Sequence, residues 1–319
     1  MKLLLTGATG FIGSKLFNFI QNDNQFEVKG CVRMLKGSDN LNLVEIGDLS
    51  DMSDYSTALN NVDVVIHLAA RAHVFNVNSL DSLSEFRKVN VDGTLHLARQ
   101  AAKLNVKRFI YISSIGVVGV NSVNPFTELS NPEPHDFYSL SKYEAEIGLK
   151  SICNENGMEL VIIRPPLVYG ADAPGNFAKF LNLTSRRIPL PFKIINNHRS
   201  MIYVENLIDF IVKCIDHPLA ANETFLISDG EDISLHTLIE FIRKSLGQPI
   251  WLFPVPSFCF QFAALLFNKK RLVDGLIGDL QVDSSKARQL LDWNPPFSVA
   301  DGIAATVYDY KNRNIKCCE

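Results

Sequence analysis

Tyr138-Ser139-Leu140-Ser141-Lys142 places a phenol and an ammonium four residues apart. On a helix the two share one face. A neighbouring Lys⁺ favours tyrosinate, so the tyrosine can act as acid or base nearer neutral pH. Alone, the pair more readily describes a surface Tyr and Lys on an amphipathic helix. A second hydroxyl source lies upstream. Residues 108–113 (RFIYIS) read as a buried strand that ends in Ser113-Ser114. Ligands sit at the carboxyl ends of parallel strands, and a serine there can hydrogen-bond a substrate oxygen beside the tyrosine.

A third group of residues supplies a phosphate cradle. Residues 2–6 read as a short buried strand, and residues 11–20 carry apolar positions at helical spacing. Gly7, Gly10 and Gly13 occupy the join. A tight turn, and a backbone that must touch a pyrophosphate, both need residues without Cβ. The N–H groups and positive dipole end of the following helix suit phosphates. The spacing is G-x-x-G-x-x-G, a variant of the ordinary dinucleotide fingerprint.

The elements that must position these groups alternate. Strands are predicted at 27–33, 44–46, 62–70 (with its exit loop), 108–113 and 159–164. Helices are predicted at 83–104 and 138–154. Repeated β-α units with apolar strands imply a parallel sheet covered on both faces. Beyond Pro165-Pro166 the rhythm breaks. A strand and helix over 201–216, a strand at 224–227 and a helix at 235–246 suggest a smaller α/β lobe. The expected division is a dinucleotide-binding domain at 1–167 plus 201–220, a substrate lobe at 168–200 plus 221–310, and a frayed tail at 311–319.

Bulk properties narrow the classes. A net charge of −3 over 319 residues gives no basic field to recruit nucleic acid. The six cysteines form no C-x-x-C and no zinc spacing, so no metal is expected and free thiols in a reducing cytosol are. The chain enters its first strand directly, so no signal peptide is expected. The greasiest stretch, 251–267, contains Pro254 and Pro256, and its uninterrupted part, 258–267, is about half a bilayer span; a buried or partner-facing helix is expected, with membrane contact as the alternative.

The chain resembles the extended short-chain dehydrogenase/reductase superfamily, within it the nucleotide-sugar epimerase/reductase group. The resemblance rests on TGATGFIG (6–13), GDL (47–49), HLAA (67–70), VN (89–90), YISSIGVVG (111–119), YSLSK (138–142), RPPLVYG (164–170), RSMIYVEN (199–206) and VDSSKARQLLDW (282–293), in that order. It implies a Rossmann-like doubly wound parallel sheet with a smaller α/β substrate-binding lobe. It implies Tyr138 as acid/base, Lys142 as ribose ligand and modulator of Tyr138, and Ser114 as the hydroxyl on the same oxygen. The cofactor contacts it implies are Gly7, Thr9, Gly10, Phe11, Ile12, Gly13, Asp48, Leu49, Leu68, Ala69, Ala70, Asn90 and Pro165. Arg199, Asn176 and, less closely matched, Arg271 would hold a sugar nucleotide's diphosphate. It also implies a homodimer in which helices from about Leu83 and Tyr138 pair with their copies.

Two departures refine the expected reaction. NAD-preferring members end the second strand with an acid. Here Cys31-Val32-Arg33 stands there, and Arg33 would suit the 2′-phosphate of NADP(H). Dehydratases carry Asp-Glu after the strand-five serine or threonine, whereas Ile115-Gly116 follow Ser114. The expectation is therefore reduction of a UDP-4-keto-6-deoxy-(N-acetyl)hexosamine with NADP(H). The alternatives are a UDP-glucose or UDP-N-acetylglucosamine type 4-epimerase holding NAD(H), and a non-catalytic NADP(H)-binding regulator.

Overall fold

Leu3, Leu4 and Leu5 are all fully buried in the first strand. Successive strand residues face opposite ways, so this strand must be covered on both sides. Burying each leucine contributes about 2 kcal/mol. The computed structural model describes residues 1–35, 42–72, 80–266 and 270–316.

The chain opens with β1 (Lys2–Thr6), α1 (Phe11–Gln21), β2 (Glu27–Val32), β3 (Leu43–Glu45) and β4 (Val64–His67). It continues through α2 (Leu80–Arg87), a π-helical segment (Lys88–Gly93) and α3 (Thr94–Lys103). Then come β5 (Arg108–Ile112), α4 (Phe137–Asn156), β6 (Glu159–Arg164), β7 (Leu167–Tyr169) and α5 (Asn176–Ser185). After β8 (Met201–Tyr203) and α6 (Val204–Asp216) follow β9 (Glu223–Leu226) and α7 (Leu235–Leu246). Helices α8 (Ser257–Leu266), α9 (Lys270–Ile277), α10 (Ser285–Leu291) and α11 (Val299–Lys316) complete it.

Seven strands form one parallel sheet in the order β3-β2-β1-β4-β5-β6-β9. Leu3 and Leu5 face a core shared with Leu16 and Ile20 of α1 and Leu207 and Ile211 of α6. Leu4 faces the other side, with Leu97 and Ala101 of α3 and Ala145 and Leu149 of α4. Thr6 stands level with Cys31 on one side and His67 on the other. The carboxyl ends of β1, β2 and β4 therefore open together, and the strand order reverses between β1 and β4. That is where a doubly wound sheet leaves a ligand crevice.

Three expectations need correcting. The helix predicted at 83–104 is interrupted by the π-helical segment at 88–93. The strand predicted for the smaller lobe at 224–227 is the seventh strand of the main sheet, paired parallel to β6. Its apolar residues cover the open edge of β6 rather than founding a second sheet. The tail expected to fray from 311 is helical to Lys316, where Lys311 Nζ donates to the Ser245 carbonyl at 2.8 Å and Arg313 pairs with Asp172. The last three residues lie outside the described ones.

Candidate active site

The glycine turn is built so tightly that side chains have no room. Gly7 has φ +73°, and a Cβ on it would lie 2.8 Å from the Ala69 nitrogen. A Cβ on Gly13 would fall 2.0 Å from the Gly7 carbonyl oxygen. Gly10 N–H donates to the Gly7 carbonyl at 2.9 Å, closing the turn into α1. Beside it lies a cleft of about 600 Å³. Gly7, Thr9, Gly10, Leu68, Ala69 and Ala70 form its inner wall, and Arg33, Asp48 and Leu49 form its outer rim. The glycine cradle, the helix N-terminus and the size of the cleft fit a dinucleotide.

Phe11 and Ile12 are half-buried in the first turn of α1, and Phe11 approaches Gly170. Pro165 is buried, and its carbonyl accepts from Ile115 N–H at 3.0 Å, tying β6 to the turn after β5. Arg33 and Asp48 form a 3.6 Å ion pair with side chains 85% and 87% exposed. The rim thus supplies an acid as well as the expected base, from the loop after β3.

The catalytic candidates sit at the next strand end. Ser114 is half-buried and its Oγ accepts from Gly116 N–H at 3.1 Å. Ser113 is buried, and its Oγ has no hydrogen-bond partner among the described residues. The Ser114 turn packs on the start of α4, since a Cβ on Gly116 would lie 3.3 Å from Ser139 Cβ. A reciprocal cap starts that helix: Ser139 N–H donates to the Asp136 carboxylate at 2.7 Å, and Asp136 N–H donates to Ser139 Oγ at 3.1 Å. Tyr138 is the second residue of the helix so capped. Its ring meets Phe86 of α2 edge-on, centroids 6.4 Å apart.

Lys142 is almost wholly buried. Its Nζ donates to the Ile112 carbonyl at 2.7 Å and lies 4.5 Å from the Tyr111 ring centroid. Burial lowers its pKa to about 7, with Glu146 opposing. Burial, then the Asp136 charge, raises Tyr138 to about 12. Burial and the Asp136 charge thus push Tyr138 opposite to the lowering expected from Lys142. The desolvation cost falls on both groups, and the ammonium is turned to a backbone carbonyl. Burial raises Asp136 in turn, but hydrogen bonds from His135 and Ser139 outweigh it and hold the acid at about 2.

Asn90, expected at the cofactor groove, also braces the tyrosine turn, and two further buried residues, His67 and Glu146, escaped the sequence reading. Asn90 sits in the π-helical segment, fully buried. It accepts from Arg71 N–H at 2.8 Å and donates to Ser141 Oγ at 2.9 Å, while Ser141 donates to the Tyr138 carbonyl at 2.7 Å. One side chain thus couples the loop after β4 to the tyrosine turn. A π-turn rotates the face that a regular helix would present, which is how such segments serve sites. His67 is buried between Thr6 Oγ1 (2.7 Å) and Thr94 Oγ1 (2.8 Å), and burial lowers its pKa to about 3. Glu146, one turn beyond Lys142, forms a buried pair with Arg164 at 3.0 and 2.5 Å. Its only sequence signal was an acid continuing the 138, 142 spacing on an otherwise apolar face.

The substrate-side residues are more open. Arg199 is half-buried. Its backbone exchanges two 3.1 Å hydrogen bonds with Ile233, and its Nη1 donates to the Gly278 carbonyl at 2.9 Å. Asn176 is exposed at the first position of α5, after Gly175 at φ +74°. Arg271 lies in α9, but its side chain is outside the described residues.

The family profile described as "Epimerase: NAD dependent epimerase/dehydratase family" matches residues 3–228. The chain belongs to that family. A Vibrio cholerae protein named UDP-glucose 4-epimerase is 42% identical over 315 residues, which cover 98% of this chain and 96% of that protein. A Thermotoga maritima UDP-glucose 4-epimerase solved with UDP-glucose superposes at TM-score 0.76 and 24% identity, covering 99% and 100% of the two chains. A Bacillus cereus UDP-glucuronic acid 4-epimerase, solved with its sugar nucleotide and NAD, gives 0.78 and 24%, covering 98% and 100%. The two structures show the fold, a Rossmann-like parallel sheet flanked by helices. Among the described residues no helix is long and apolar enough to cross a membrane.

Proposed function

We propose that this chain is a UDP-hexose 4-epimerase, acting on a UDP-glucose or UDP-N-acetylglucosamine type sugar with NAD held in the cleft. The observation that carries the reading is the packing of the Ser114 turn, at the carboxyl end of β5, on the first turn of α4, which carries Tyr138. Ile115-Gly116 follow Ser114, where water elimination would need further acids. That set suits reversible oxidation of a single carbinol, and the Vibrio cholerae relative is named for such a reaction. The bound dinucleotide would supply a reversible hydride acceptor. Tyr138 takes the C4 hydroxyl proton and later returns it. Ser114 hydrogen-bonds the same oxygen, Lys142 holds the ribose near Tyr138, and Arg199 with Asn176 holds the diphosphate.

A ketoreductase using NADP(H) is the second reading, favoured by Arg33 alone. The carboxylate of Asp48 stands where it offsets the charge a 2′-phosphate would use. The helices α2, α3 and α4 would pair with their copies in a homodimer, with Ile147 of α4 already 52% exposed.

Nucleotide released from the denatured protein tests the reading. NAD on the purified protein, and UDP-galactose formed from UDP-glucose without added cofactor, is the expected result. An empty site that prefers NADPH, with turnover confined to UDP-4-keto-6-deoxy sugars, overturns it in favour of the reductase.

A further inference from the structure

Helix α8 has the sequence SFCFQFAALL, with no charged residue and only two polar ones. One side is anchored. Phe260 stacks on Phe192 with centroids 5.5 Å apart, and Ala264 is 3% exposed. Among the described residues the other side is not covered, so of the two expectations, a buried or a partner-facing helix, the burial applies to one side only. Phe258, Phe262, Leu265 and Leu266 are 63–70% exposed, at i, i+4, i+7 and i+8 on one stripe. A helix apolar all round is normally enclosed or in lipid.

The neighbouring surface continues the pattern. Leu190 N–H donates to the Trp251 carbonyl and Phe253 N–H to the Leu190 carbonyl, each at 3.0 Å. This pairing lays Trp251 and Phe253, both about half exposed, beside the segment that carries Arg186, Arg187 and Lys193. All three basic residues are exposed. The sequence holds no acid from 185 to 198 or from 247 to 273, in a chain whose net charge is −3.

We propose that this face of the substrate lobe docks on an anionic lipid bilayer. At ten residues, α8 is about 15 Å long, half the hydrocarbon thickness, so it lies in the interface rather than across it. Its apolar stripe enters the acyl boundary, Trp251 sits at headgroup level, and the basic residues meet anionic headgroups. The charge decides against a second copy of this chain. An isologous contact over this face would set Arg186, Arg187 and Lys193 against themselves. The proposal is independent of which sugar the active site takes.

Sedimentation of the full chain with vesicles tests it. The chain is expected to pellet with vesicles of mixed phosphatidylcholine and phosphatidylglycerol, and roughly tenfold less with phosphatidylcholine alone. The double variant Phe258→Ser/Phe262→Ser is expected to lose the binding while keeping wild-type turnover of UDP-sugar. Arg187→Gln/Lys193→Gln is expected to abolish the preference for the anionic lipid. Wild-type protein that stays in the supernatant with both vesicles overturns the proposal. So does a dimer that forms through this face, dissociates in the Phe258/Phe262 variant and leaves vesicles unbound.

Discussion

At the inner, buried end of the candidate site, on α4, Lys142 and Glu146 are 2% and 1% exposed; at its outer end, the rim of the cleft, the side chains of Arg33 and Asp48 are 85% and 87% exposed. Both ends use a cation near an anion. At the inner end every charge has lost its water, so partners are held at 2.5–3.0 Å and burial moves Lys142 down and Tyr138 up. At the rim the pair is 3.6 Å apart in water, where screening removes most of its energy. The same residue types therefore specify geometry at one end and little at the other. Substitutions at the two ends should differ in kind.

The largest effect is expected from Glu146→Ala. It leaves the Arg164 guanidinium buried without its carboxylate, a loss of about 3–5 kcal/mol. Urea unfolding of the cofactor-free protein measures it. Replacing both partners with apolar residues of similar volume should recover most of the loss. If Glu146→Ala unfolds at the wild-type urea midpoint, the inner end is no more determined than the rim.

Next comes Tyr138→Phe. Turnover should fall by about two orders of magnitude or more, roughly 2.7 kcal/mol of barrier. The stability change should be small, because the ring contact with Phe86 survives. Near-wild-type turnover would remove Tyr138 from the chemistry.

The distinction also explains what could be read in the chain. The glycine turn, the strand ends and the Tyr138–Lys142 pair were legible because each requires a residue type at a fixed spacing. Strands β1, β5 and β6 were legible because both of their faces are buried. The π-turn at Asn90 was not, because one extra residue per turn leaves no periodic mark in six residues. The place of β9 was not, because pairing is a long-range choice that a four-residue strand does not declare. Glu146 was not, because an acid on a helix is ordinary until its partner on β6 is known. The outer stripe of α8 was not, because composition cannot say which side of a helix the protein leaves open.

A smaller effect is expected from pH. Burial lowers the Lys142 pKa to about 7, against 10.5 for the free side chain. Between these values the unfolded chain binds the proton and the folded chain does not, so this group makes stability rise with pH through that window. The contribution is complete above about 10.5, is lost progressively as pH falls through the window, and is gone below about 7. Lys142→Met removes it. The variant's stability gain over wild type should shrink from pH 6 to pH 9, as read by urea unfolding at each pH. A constant difference would mean that the ammonium is better solvated than its burial implies.

The smallest effect is expected at the rim. Arg33→Gln removes one member of an exposed pair, and such pairs are worth under about 1 kcal/mol, so the unfolding midpoint should barely move. Cofactor choice is the sharper readout. If Asp48 offsets the Arg33 charge, NAD affinity should be unchanged and NADP affinity should fall by no more than about threefold, roughly 0.65 kcal/mol and within the range of an exposed pair. A loss of NADP affinity by two orders of magnitude would show that Arg33 turns from Asp48 to a 2′-phosphate. The rim would then determine function as strongly as the buried end, and the NADP(H)-dependent reductase would displace the epimerase.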